Sequence, residues 1–128
     1  MTLRALVESV ASAWDVANPC ELYYGKLPEG AELPAAAFQV VSVNPYEPGM
    51  HAVPESALVQ FSVYSDDEAV GECMDIRDVI RATFDSLTMD VGGATVVRLD
   101  WENDVGPMPD PDEGWDCHID YRLVTQSV

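Results

Sequence analysis

The sequence predicts an α+β fold, a mostly antiparallel four- to five-stranded sheet with two helices packed on one face. Three observations lead there. Two segments carry apolar residues at helical spacing, and the main strand-like segments alternate apolar and polar residues with period two. The strand-like segments also fall in adjacent pairs with a helix between the pairs, a pattern suited to antiparallel pairing. The chain has 128 residues, one domain's worth, so a single domain over 1–128 is expected.

Leu3, Leu6, Val7, Val10 and Trp14 recur at helical spacing, with Thr2 as a candidate cap. Asn18-Pro19 stops that helix, because proline disfavours a helical conformation in the residue before it. Glu21 to Gly25 is short and aromatic and reads as a weak edge strand. Leu27 to Pro34 is a loop, and Ala36 to Val43 is a strand around Phe38, Val40, Val41 and Val43. Asn44 to Glu55 holds three prolines and a glycine and reads as a long loop. Ala57 to Tyr64 is the cleanest strand: Val59, Phe61 and Val63 alternate with Gln60, Ser62 and Tyr64.

Ser65-Asp66-Asp67-Glu68 has the form of a capping box, serine at the cap and glutamate three residues on. In the helix that follows, Ala69, Cys73, Ile76, Val79, Ile80, Phe84 and Leu87 fall on or near one face. Gly92-Gly93 reads as a turn, and Ala94 to Trp101 as a strand with Val97, Leu99 and Trp101 on one face. Residues 102–115, with three prolines and two glycines, read as an acidic loop. Asp116 to Val124 closes the order as a strand, with Cys117, Ile119, Tyr121 and Leu123 opposite His118, Asp120, Arg122 and Val124.

The charge narrows the function. Six basic residues face 23 acidic ones, a net charge of −17. Residues 1–64 carry −5 and residues 65–128 carry −12, and Lys26 is the lone lysine. Phosphate neutralisation needs basic clusters that this composition lacks, so no specific nucleic-acid binding is expected, nor binding to an anionic membrane. No apolar run reaches the roughly 18 residues of a membrane span, and the opening residues do not read as an export signal. Two origins fit the charge: a salt-loving or high-GC host with generally acidic surfaces, or a surface that must not stick to DNA.

Catalytic and metal signatures are absent from the pattern. A calcium loop starting at Asp110 would place Gly114 at position 5 and Trp115 at position 6, which fails the ligand order. Cys117 and His118 are adjacent on a strand and point to opposite faces, and no CxxC spacing exists, so no metal and no cofactor are expected. Asp100 and Asp120 lie on the polar faces of neighbouring strands and form a conceivable carboxylate pair. No nucleophile elbow is present, so no enzymatic activity is expected. Cys20, Cys73 and Cys117 are odd in number and read as reduced thiols, Cys73 and Cys117 as small core residues.

Interaction is the remaining class. Both long loops exceed the usual connection length, a mark of functional segments. Tyr46 and His51 in 44–56, and Trp101, Asp110, Asp112, Glu113 and Trp115 in and beside 102–115, are the candidate contact residues. Local packing of those loops against their own sheet is the competing reading.

The run Ala57 to Ser65, Asp66-Asp67-Glu68, and the helix through Ile76, Arg77, Ile80, Phe84 and Leu87 resemble the core of the tail-completion proteins, or tail terminators, of long-tailed phages and related archaeal viruses. The closing strand Asp116 to Val124, with Tyr121, and the opening helix Leu3 to Trp14 sit where that family has such elements. The resemblance implies a structural virion protein of the tail and neck, assembled in the host cytoplasm. It implies a ring of this chain with itself, typically a hexamer, that caps the tail tube protein and meets the neck or stopper protein of the capsid. DNA would pass through the ring, and an acidic lumen would suit that passage. A neck stopper or other head–tail connector is the close alternative. An acidic DNA-mimic inhibitor is the alternative from another class. Six copies at −17 each would total −102, a ring that needs screening to close.

Overall fold

The computed structural model describes residues 3–17, 20–41, 57–66, 70–92, 95–110 and 114–127. Two helices, α1 (Leu3–Ala17) and α2 (Val70–Phe84), accompany six strands: β1 (Glu21–Tyr24), β2 (Ala35–Val41), β3 (Leu58–Ser65), β4 (Thr88–Asp90), β5 (Thr95–Asp110) and β6 (Gly114–Ser127). The α+β class and the two helices agree with the expectation. The sheet is mostly antiparallel as expected, but it has six strands, in the order β1-β2-β3-β6-β5-β4, and one of its pairs is parallel.

The differences have physical causes. The weak strand β1 runs parallel to β2, with Glu21 opposite Ala35 and Tyr24 opposite Phe38. Residues 25–34 carry the chain back to the starting end, so β2 begins beside the start of β1. The extra strand β4 is three residues long, too short for periodicity to show, and pairs with Val96–Arg98 of β5. The largest correction concerns the segment read as a loop over 102–115, of which residues 102–110 and 114–115 are strand. β5 and β6 form one long hairpin that runs from Thr95↔Ser127 to Asp110↔Gly114. The turn residues misled because they serve an edge strand. Past the contacts at Leu99, no strand covers the outer side of β5 among the described residues, so Pro107 and Pro109 interrupt no second ladder there. Register shifts between Trp101 and Asn103, and between Val105 and Met108, absorb the extra residues, Gly106 among them.

The core lies between one sheet face and the helices. Leu6, Val10 and Trp14 of α1 and Cys73, Ile76, Ile80 and Phe84 of α2 are buried against Val59, Phe61 and Val63 of β3 and Cys117, Ile119, Tyr121 and Leu123 of β6. The strand residues have one parity, as the alternation required. Leu3, which shared the apolar pattern, is exposed. Phe61 sits at the centre of an aromatic cluster: its ring lies 4.7 Å from Phe84, 5.8 Å from Phe38 and 5.8 Å from Tyr121. Trp14 stacks on Phe84 and donates its Nε1–H to the Cys20 carbonyl at 2.8 Å, which ties α1 to the entry of β1. The proposed Thr2 cap, the capping-box residues Asp67 and Glu68, and the loop 44–56 lie outside the described residues.

Candidate assembly surface

The β5–β6 hairpin carries the surface that best suits contact with another protein. At its base, β4 and the segment before it cover β5. The Ser86 N–H donates to the Leu99 carbonyl at 2.9 Å and the Leu99 N–H to the Leu87 carbonyl at 3.3 Å. Beyond that point the outer backbone of β5 faces no strand among the described residues. Along the same stretch Trp101, Val105 and Met108 are exposed, at 47%, 41% and 37%. An open strand edge lined with apolar side chains is a template for pairing, and natural proteins leave one where a partner is to cover it.

Two glycines permit close backbone approaches, Gly106 between the two strands of the hairpin and Gly114 between the hairpin and β3. Gly106 has φ +95°, and a Cβ there would lie 2.7 Å from the Asp116 carbonyl oxygen and 3.1 Å from the Cys117 Cα. Gly114, at φ +153°, would drive a Cβ into the carbonyl oxygen of Ser65. Both positions combine a conformation that favours glycine with a close backbone approach.

Charged side chains fix the base of the hairpin to the end of α2. Arg81 donates through Nε to Asp85 at 2.9 Å and through Nη1 to Asp104 at 3.2 Å, and its guanidinium lies 4.5 Å from the centre of the Trp101 ring. The Trp101 Nε1–H donates to Asp104 at 2.7 Å. Tyr121 donates its hydroxyl to Asp85 at 2.6 Å. Burial alone would raise the Asp85 pKa, but hydrogen bonds from Arg81 and Tyr121 outweigh it and hold the carboxyl below its ordinary range. Burial, and then the bond to Asp85, push the Tyr121 phenol well above its ordinary value.

The opposite face of the sheet carries polar rows across the strands. Gln39 donates to Gln60 and Gln60 to Asp120, each at 3.0 Å. Ser62 Oγ and His118 Nδ1 share a hydrogen bond of 2.8 Å, and His118 Nε2 lies 3.9 Å from Asp116 Oδ2. Sequence reasoning placed Ser62 and His118 on polar faces but not beside each other, because β3 and β6 are far apart in the chain. Asp100 and Asp120 do not form the carboxylate pair considered from sequence. Asp100 takes Arg98 at 2.7 Å, while Asp120 accepts from Gln60.

The candidate contact residues separate. Trp101 lies on the exposed hairpin. Trp115 is half-buried, opposite Ser65 and Pro109, and packs against the core. Asp110 closes β5 opposite Gly114. Tyr46, His51, Asp112 and Glu113 lie outside the described residues.

Little positive surface is left over. Arg4, Arg77, Arg81, Arg98 and Arg122 each lie within ion-pair distance of an acid of the chain itself. Such neutralised cations offer little to a phosphate backbone.

A family model described as Tail completion protein gp17 matches residues 2–126. The chain belongs to that family and is a structural protein of the phage tail. No curated protein matches it.

Proposed function

We propose that the chain is a tail terminator: copies join into a ring, a hexamer, that caps the tail tube and presents a surface to the neck protein of the head. Family membership supports the setting. The observation that carries the ring is the pair of sheet edges that no strand covers among the described residues. β1 borders the sheet on one side, and the outer run of β5 on the other. Two different edges on one subunit favour head-to-tail contacts, which close into a ring when the rotation between neighbours is right. The exposed apolar run Trp101, Val105 and Met108 is the contact element in this reading, together with Asp110, Asp112, Glu113, Trp115, Tyr46 and His51. DNA passes through the ring without adhering, repelled by the acidic surface.

The mass of the purified protein, measured at low and at multimolar salt with electron microscopy of large species, tests this reading. Closed rings that form or tighten as salt screens the charge are expected. A protein that stays monomeric at every salt concentration, with or without isolated tail tubes, would overturn it.

A further inference from the structure

We infer that Cys73 and Cys117 form an oxidisable dithiol, an internal disulfide site that staples α2 to the central strand β6 when a peroxide reaches it. Their sulfurs lie 3.5 Å apart, although 44 positions separate them in sequence. Cys73 sits in the first turn of α2 and Cys117 on the helix-facing side of β6, and both residues are fully buried. Ser65 also hydrogen-bonds the Cys73 side chain, and the contacts of the two sulfurs with backbone carbonyls are longer. Cys73 Sγ lies 3.9 Å from the Val63 carbonyl, and Cys117 Sγ lies 3.9 Å from the Cys73 carbonyl. A disulfide needs the sulfurs to close by roughly 1.5 Å, within reach of side-chain rotation at the start of a helix. The third thiol is elsewhere: Cys20 is half-buried, and its Trp14 contact runs through its backbone carbonyl.

The chemistry closes with one small oxidant. The Cys73 thiol gives up its proton, the thiolate attacks one oxygen of hydrogen peroxide, the O–O bond breaks, and the leaving hydroxide takes that proton, so that a sulfenic acid and one water result. The Cys117 sulfur then attacks the Cys73 sulfur. The S–S bond forms as the S–O bond breaks, and the second water carries off the Cys117 proton. One peroxide is reduced to two waters, and two thiols are oxidised to one disulfide. The hydrogen bond with Cys117 holds the Cys73 thiol below its ordinary pKa, while that bond and burial push Cys117 up. Cys73 stands in the first turn of α2, where the helix end favours a thiolate, which makes it the attacking sulfur. Both thiols are fully buried, so the reaction requires local opening at the start of α2, and a small oxidant needs the least opening. A tail protein leaves the cell with its particle and so leaves the reducing systems of the cytosol, where a staple once formed would be undone.

The test uses the full chain carrying Cys20→Ser, reduced, freed of reductant and titrated with hydrogen peroxide. The expected product is a single chain lighter by two hydrogens, with no covalent link between subunits. Non-reducing peptide maps join the Cys73 and Cys117 peptides, and dithiothreitol reverses the change. The stapled protein is expected to melt about 5 °C or more above the reduced form. Adding Cys73→Ala should abolish the mass loss. The unsubstituted chain, mapped in the same way, guards against an effect of the Cys20 change. Oxygen addition without a cross-link, a cross-link between subunits, or no reaction in either protein would overturn the proposal. A link that leaves the melting point unchanged would overturn the staple.

Discussion

Tyr121, on the buried face of β6, donates its hydroxyl across 2.6 Å to Asp85, just past the end of α2. The same carboxylate accepts from Arg81, which in turn reaches Asp104 and lies over Trp101. One residue thereby links core, helix end and hairpin. The ring of Tyr121 packs edge-on against Phe61, while its polar tip reaches the half-exposed network outside. Displacing α2 would therefore disturb the hairpin that carries the candidate contacts.

Tyr121→Phe keeps the ring packing and removes one charge-assisted hydrogen bond. A loss of about 1–2 kcal/mol is expected, read as a lower urea midpoint at unchanged slope. The pH dependence has a definite sign. The Asp85 pKa is depressed in the folded state, so its contribution is present above the unfolded value near 4 and is lost as pH falls through the folded value. The difference in stability between the parent and Tyr121→Phe should therefore shrink on acidification below about pH 4. A difference that stays constant down to about pH 2 would show that Asp85 does not gain from the bond.

Phe61→Ala removes the ring that Phe38, Phe84 and Tyr121 surround. Truncating a buried aromatic costs about 3–5 kcal/mol, a large share of the stability of a domain this size. The expected result is a melting point lower by more than about 10 °C, or a protein recovered largely unfolded. Val41→Ala at the exposed end of β2 serves as the comparison and should fall within about 0.5 kcal/mol of the parent.

The sequence was most legible where burial is one-sided. Val59, Phe61 and Val63 alternate, and each is buried; Leu6, Val10 and Trp14 recur at helical spacing, and each is buried. It was least legible where one residue type serves two purposes. Gly106, Pro107 and Pro109 mark loops in most contexts, yet here they form the bulge and open edge of a strand. Parallel pairing of β1 with β2 depends on where residues 25–34 return the chain, which no periodicity records. The contacts Tyr121–Asp85, Ser62–His118 and Cys73–Cys117 each join segments remote in sequence. Of the site, Trp101 was found through its residue type. Val105 and Met108 carry no such signal, because the prolines and glycine around them are those of a loop.

Gly106→Ala isolates the hairpin from the core. The substitution forces a side chain into a positive-φ position and against the Asp116 carbonyl. A cost of about 1–3 kcal/mol is expected, concentrated locally. Amide exchange should quicken in 102–118 while β3 and the helices keep their protection. Uniformly faster exchange throughout the chain would show instead that the hairpin and body unfold as one unit.

Val105→Glu with Met108→Glu tests the assembly surface without touching the core. Both side chains are exposed on the hairpin, so the folded monomer should lose no more than about 0.5 kcal/mol. Association is a different matter. An open edge with two added carboxylates repels a neighbouring strand, the device by which natural edge strands avoid pairing. Ring formation, where the parent forms rings at high salt, should be lost, and so should capping of tail tubes. The melting curve of the monomer separates the two effects. Normal melting with lost rings places the contact on the hairpin. Normal melting with intact rings would move the contact to the β1 edge or to residues 44–56.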